Sequence, residues 1–288
     1  MIAAATIEDI EATAKRVRRH IVRMIAAAGS GHPGGSLSAV EILCALDFRV
    51  LRHDPAQPLW PERDRFILSK GHAAPALYAV LAESGYLPVE ELLTLRKLGS
   101  RLQGHTFAYF PPGANTLSTC VQSIPGVEAC AGSLAQGLSF AIGQALAARL
   151  DGRDCRIYCL LGDGELDEGQ VWEAAMSAAH HRVDNLVAVV DRNRLQNDGF
   201  VDDIMRTDPL DAKWRSFGWN VAEVEGHNVR ELIAAFEGAK AVKGKPSVII
   251  AHTVKGKGVS FMENSPEFHG RAPNKEETEK ALAELDGE

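Results

Sequence analysis

The strongest constraint on this chain is a set of short apolar runs that alternate with helical segments through its second half. Residues 156–161 (RIYCLL), 185–190 (NLVAVV), 219–224 (WNVAEV) and 246–252 (PSVIIAH) read as strands. Between them, residues 134–150, 169–181 and 228–242 carry apolar positions at helical spacing, and Asn228 and Glu231 have the spacing of a capping box. A strand that is apolar along its whole length needs cover on both faces, which a parallel sheet receives from its crossover helices. The expected fold is therefore α/β: a three-layer, doubly wound, mostly parallel sheet with helices on both faces.

The first half supplies further helices. Ile7, Ile10, Ala14, Val17, Ile21, Met24, Ile25 and Ala28 fall on one face of a helix that Thr6 is placed to cap. A glycine cluster ends it, and Ser36 is expected to cap a second helix through LSAVEILCALDFRVL. A strand at 65–69, an Ala/Leu helix at 73–83 and a helix with Pro88 in its first turn, reaching about residue 98, complete this half. From 104 to 125 (GHTFAYFPPGANTLSTCVQSIP) the periodicity dissolves, and a loop this long inside a compact domain is usually functional or mobile. The tail (NKEETEKALAELDGE) reads as a charged, solvated helix. With no internal repeat and no linker, residues 1–288 are expected to form a single domain.

Bulk properties exclude several classes of function. A net charge of −7 argues against nucleic acid as the main partner, since binding a phosphate backbone needs a basic face. Cys44, Cys120, Cys130, Cys155 and Cys159 form no C-x-x-C pair and read as reduced, mostly buried thiols. The N-terminus lacks the basic region of a signal peptide, and no apolar run is long enough to span a bilayer. A soluble, cytoplasmic protein with no membrane partner is expected.

In a parallel sheet, ligands bind beyond the carboxyl ends of the strands. One such end reads Gly162-Asp163-Gly164, and the next reads Asp191-Arg192-Asn193-Arg194-Leu195. Neighbouring parallel strands would bring Asp163 and Asn193 together. A carboxylate with amide and carbonyl oxygens makes a hard site for Mg²⁺ or Ca²⁺ rather than zinc. Because Mg²⁺ keeps few protein ligands and binds substrate phosphates as well, the pair predicts a metal that holds a diphosphate. The stretch GSGHPGGS (29–36) also matches the dinucleotide pattern G-x-G-x-x-G. That pattern must follow a strand and have an acidic residue about twenty positions on. Here it follows a helix, Pro33 stiffens it, and Asp47 and Asp54 are poorly placed. Its glycines are better read as letting a helix–helix turn pack close to a ligand while presenting His32.

Six phrases in order, GSGHPGGSLS, SKGHAAPALY, LQGH, GSLAQGLSFAIG, LGDGELDEGQVWEA and VKGKGVSFMENSPEFHG, resemble the N-terminal, pyrophosphate-binding half of transketolases, which depend on thiamine diphosphate. The resemblance spans nearly the whole chain. It implies that Asp163, the side chain of Asn193 and the carbonyl of Leu195 ligate Mg²⁺ or Ca²⁺. It places Gly164 and His72 at the diphosphate, Gly132, Ser133 and Leu134 along the cofactor rings, and Gly162 and Glu165 among the cofactor-binding residues. His32, His72, His105 and His269 would converge on cofactor and sugar. Glu168 and Glu173 match acidic positions of a carboxylate network between paired active sites.

A complete transketolase is more than twice this long and carries a pyrimidine-binding domain. The chain therefore resembles the N-terminal subunit of a split transketolase, expected to act as an obligate α2β2 assembly with a pyrimidine-binding C-terminal subunit on sugar or sugar-phosphate substrates. Three alternatives stand beside it. One is a transketolase for specialised sugars, another is a non-catalytic relic of the fold, and the third is a 1-deoxy-xylulose-phosphate synthase-like or 2-oxo-acid dehydrogenase-like subunit. Two departures from the family pattern bear on the substrate. Thr106 follows LQGH, and Cys130, Ala131 and Ala135 stand in the loop before and after Ser133.

Overall fold

The computed structural model describes residues 5–109 and 124–287. Most of the aperiodic 104–125 segment, with Cys120, lies outside the described residues.

Five strands form one sheet: β1 (Arg65–Leu68), β2 (Ile157–Gly162), β3 (Leu186–Arg192), β4 (Asn220–Glu225) and β5 (Ser247–His252). Their order is β1-β2-β3-β5-β4 and every neighbouring pair is parallel. Alternate side chains of the central strands enter two separate cores. Tyr158, Leu160, Val187, Val189 and Ile249 pack under α1 (Ile7–Ala28), α3 (Val40–Ala45), α4 (Ala74–Glu83) and α9 (Val229–Ala241). On the other face, Cys159, Leu161, Ala188, Val190 and Ile250 pack under α5 (Gln136–Leu150), α6 (Gly169–His180) and α8 (Leu210–Ser216). The architecture is the three-layer α/β sheet that the apolar runs imply. Among the described residues, no helix is long and apolar enough to cross a membrane.

Helix α1 begins at Thr6 with a full capping box, in which Thr6 Oγ1 accepts from the Asp9 N–H at 3.1 Å. It ends at Gly29 in the left-handed region (φ 62°). The following helix differs from expectation. Ser36 caps nothing: α2 (Pro33–Leu37) starts at Pro33, which loses no hydrogen bond in a first turn, and Ser36 Oγ donates back to the His32 carbonyl at 2.7 Å. The dinucleotide-like stretch (29–36) thus follows α1 and runs into α2. Helix α3 follows a break and runs into a π-turn at Leu46–Val50.

Pro88 precedes a short 3₁₀ turn (Val89–Thr94) rather than opening a helix to residue 98. Arg96 explains the stop: its left-handed backbone (φ 58°), with its N–H bonded to the Leu102 carbonyl at 2.8 Å, cannot extend a helix. The short α7 (Val201–Ile204) has no counterpart among the sequence expectations. The tail forms α10 (Lys275–Asp286), capped by Asn274 and Glu277, and it is docked rather than fully solvated. Ala281 is buried, with Leu282 and Leu285 packed against the core beside it.

Candidate active site

The carboxyl ends of β1, β2, β3 and β5 open on one side of the sheet. There a pocket of ≈170 Å³ is lined by Lys70, His72, Leu134, Gly162, Asp163, Gly164, Glu165, Asn193, Leu195, Lys255 and His269, among others. Register accounts for the meeting of the oxygen ligands. Gly162 pairs with Asp191 across β2 and β3, so the residues that follow each strand emerge side by side. Asp163 Oδ1 accepts from the Gly164 N–H at 2.8 Å and Oδ2 from the Arg194 N–H. Asn193 Oδ1 accepts from the Leu195 N–H at 3.1 Å, and the Leu195 carbonyl accepts from Lys255 Nζ at 2.9 Å.

Asp163 is 2% exposed and forms no ion pair with a side chain among the described residues. Burial, then the charge of Asp191, pushes its carboxyl up to about 7 against those two backbone hydrogen bonds. A buried carboxylate without a cation, beside an amide and a carbonyl oxygen, fits a hard divalent ion. No cluster of three or more His, Cys, Asp or Glu able to hold a metal occurs among the described residues.

The histidines gather at the mouth of the pocket. The His32 ring lies 5.3 Å from that of His72, 6.1 Å from His105 and 5.5 Å from His269, while His72 and His269 are 5.2 Å apart. Helix α2 brings His32 close because Gly34 and Gly35 leave room. A Cβ at Gly35 would sit 3.0 Å from His72 Nε2, and one at Gly34 would sit 3.0 Å from the Phe268 carbonyl. Arg96 reaches the same rim, with its guanidinium 3.5 Å from Ser30 Oγ and from His32 Nδ1.

All four imidazoles are held below their ordinary pKa. Burial, then the charge of Arg96, takes His32 to about 4, and burial, then Lys255, takes His269 to about 3. Burial lowers His72 strongly, and burial followed by Arg96 lowers His105. The cluster is neutral at physiological pH and offers both hydrogen-bond donors and acceptors. Because the folded form disfavours the charged ring, stability from these groups is intact above about pH 6.5 and falls as pH drops toward 4. Acid titration of the thermal midpoint should show a loss that begins near pH 6.5, and His32→Gln should make it shallower. An unchanged slope in that variant would place the titrating groups elsewhere.

Several residues that organise the pocket carry no role in the sequence expectations. Lys70 (1% exposed) and Asp191 (0% exposed) form a buried ion pair at 2.5 Å. Lys70 Nζ also donates to the Gly35 carbonyl at 2.9 Å, and Asp191 accepts from the hydroxyls of Ser38 and Thr253. Burial raises the Asp191 carboxyl, but the charge of Lys70 and these hydrogen bonds outweigh burial and hold it low. Lys70 reaches across β2 over Gly162, where no side chain stands in its way. The signal available beforehand was position: both residues stand at the carboxyl ends of strand runs.

The carboxylate of Glu165 is turned into the protein. Oε1 accepts from Ser69 Oγ at 2.5 Å and the Ala135 N–H at 2.7 Å, and Oε2 accepts from the Gly162 N–H at 3.0 Å. It clamps three loops, including the left-handed turn at Ala135 (φ 72°) that sets Leu134 in the pocket wall. Gly132 lies against the His105 ring, whereas Ser133 is exposed. Glu168 and Glu173 are exposed at the start of α6 and do not join the pocket lining.

Comparison with known proteins gives the family. Residues 10–286 match the family described as transketolase, thiamine diphosphate binding domain. The chain is 45% identical over 280 residues to a 6-deoxy-6-sulfo-D-fructose transketolase subunit of Clostridium sp. (strain MSTE9), covering 97% of both chains. It is 45% identical over 282 residues to an apulose-4-phosphate transketolase subunit of Actinobacillus succinogenes, covering 98% of this chain and 97% of that one. Among solved structures, the transketolase of Campylobacter jejuni superimposes with a TM-score of 0.87 at 34% identity, over 98% of this chain but only 43% of that longer one. The chain belongs to the transketolase family, as its thiamine diphosphate binding domain.

Proposed function

We propose that this chain is the cofactor-holding subunit of a two-chain transketolase, which moves a two-carbon ketol unit from a ketose or ketose phosphate to an aldose acceptor. One observation carries the reading: the oxygen set at Asp163, Asn193 and Leu195 shares a single pocket with His72 and His269, with His32 and His105 beside them. The two relatives named above are themselves called subunits, and each matches this chain along nearly its whole length.

In this reading Asp163, Asn193 Oδ1 and the Leu195 carbonyl hold a divalent cation, Mg²⁺ or Ca²⁺. Gly164 and His72 face the diphosphate, and Leu134, with Gly132 and Ser133, borders the cofactor rings. When bound, thiamine diphosphate supplies the carbanion chemistry. The chain's own part is to fix the cofactor's anionic end and orient the sugar. The neutral imidazoles of His32, His105 and His269 hydrogen-bond sugar oxygens, and Arg96 adds positive charge at the rim for an anionic sugar. Glu168 and Glu173 face the partner rather than the pocket. Glu173 and Met176 share a face of α6, and Met176 (54% exposed) and Phe140 on α5 (45% exposed) provide apolar surface beside it. An α2β2 assembly with a pyrimidine-binding C-terminal subunit would cover this face, and obligate interfaces commonly bury about 2,000 Å² or more.

The test is reconstitution. The chain alone, with thiamine diphosphate and Mg²⁺, should show no ketol transfer from a panel of ketose, ketose-phosphate and sulfonated ketose donors. Adding a separately expressed pyrimidine-binding subunit should bring transfer on. Transfer by the chain alone would overturn the two-chain reading. Failure of every donor in an assembled, cofactor-loaded complex would overturn the transketolase activity.

A further inference from the structure

Lys255 is 2% exposed and forms no ion pair among the described residues. Its Nζ instead meets three neutral acceptors: the Leu195 carbonyl at 2.9 Å, the Gln196 carbonyl at 3.1 Å and His269 Nδ1 at 2.7 Å. An ammonium has three hydrogens and no lone pair, and carbonyl oxygens can only accept. With Lys255 as the ammonium, the three contacts use all three hydrogens, and His269 Nδ1 supplies a lone pair. In a neutral imidazole the proton is then on Nε2. That nitrogen has no hydrogen-bond partner among the described residues, and its ring stands edge-on to His32 at 5.5 Å and lines the pocket.

We propose that Lys255 is a positioning residue that locks His269 in the Nε2–H tautomer, joining the ring to the Leu195–Gln196 loop. The consequence for chemistry, which rests on the transketolase reading, is a division of labour among the histidines. His269 presents an N–H to a substrate oxygen and does not take up a proton from it, because its lone pair is covered by Lys255. Proton acceptance falls to imidazoles whose lone pairs are free to face the pocket. The same lysine links the carbonyl assigned to the cation with the donor assigned to the sugar, so a shift of the cation loop would move His269 with it.

The tautomer can be read directly in the full 288-residue chain, without cofactor or partner, by long-range ¹H–¹⁵N NMR of labelled histidine, with His269→Gln assigning the resonance. The wild type should show a single Nε2–H species with Nδ1 shifted as an engaged acceptor. Lys255→Arg should preserve that pattern, since the donor is kept. Lys255→Met should release it, giving exchange between tautomers and a displaced Nδ1 resonance. A proton on Nδ1 in the wild type would overturn the proposal, as would a wild-type Nδ1 resonance in Lys255→Met. If the methionine variant does not fold, the wild-type and arginine spectra still decide. In the reconstituted enzyme, Lys255→Met should lower kcat by about 10–100-fold with a smaller change in KM, and Lys255→Arg should restore most of it. The ring measurement needs no activity, so its outcome is separate from the fate of the transketolase reading.

Discussion

Replacing Lys70 by methionine should destabilise the protein by about 3–5 kcal/mol, the usual cost of breaking a buried ion pair by removing one partner. For a chain of this size that is a fall in thermal midpoint of roughly 6–20 °C. The substitution keeps most of the side-chain volume but leaves the Asp191 carboxylate, fully enclosed, with only the hydroxyls of Ser38 and Thr253 for company. Removing both charges in Lys70→Met/Asp191→Leu should be less damaging than the sum of the single changes, because no uncompensated charge remains. The loss should also be felt at the pocket. The pair ties the Gly35 carbonyl of α2 to the ends of β1 and β3 and to Thr253 beyond β5. Those segments carry His32, His72, Asn193 and Lys255. A Lys70→Met protein that melted within about 1 °C of wild type would mean that the ion pair contributes nothing to the fold.

How far the molecule was legible in its sequence followed the range of the forces involved. The strands at 157–162, 186–192 and 247–252 were readable within a residue or two, because a strand buried on both faces must be apolar at every position. Helix α1 was readable at both ends, because its capping box and its left-handed glycine are local. The helix expected after Ser36 was misplaced because Ser36 and Ser38 spend their hydroxyls on His32 and Asp191, and the second of those partners is 153 positions away. The helix expected at Pro88 is a 3₁₀ turn that ends at Thr94, before the left-handed Arg96 that no propensity announces. Asp163 and the histidines stood out because each lies within one of the six phrases that resemble the family. Lys70, Glu165, Asp191 and Lys255 are different, since their partners lie across the sheet or on another loop. Sequence spacing shows their position at strand ends but not which loops they join.

Asp163→Asn should abolish the cation-dependent stabilisation of the reconstituted complex by thiamine diphosphate while leaving the fold intact. Saturating ligand at about 100 times its Kd stabilises a binding protein by about 2.7 kcal/mol, which here corresponds to roughly 5–11 °C. Asp163 is the one carboxylate in the proposed oxygen set, so its neutral isostere removes the formal charge that a Mg²⁺ site needs. Ketol transfer should fall at least about 100-fold, the upper range seen when groups merely adjacent to a metal are changed. Glu173→Gln is the informative contrast. Its side chain is exposed on α6, away from the pocket lining, so the chain's own stability should change by less than about 0.5 kcal/mol. The cofactor-induced shift should survive in that variant while transfer by the assembled enzyme drops, if the carboxylate faces the second chain as the proposed assembly has it. The two variants thus separate the groups that anchor the cofactor from those that depend on the second chain. Equal loss of the cofactor shift in both would undo that separation and place Glu173 in the anchoring set. A full shift in Asp163→Asn would remove the cation from the pocket at the ends of β2 and β3.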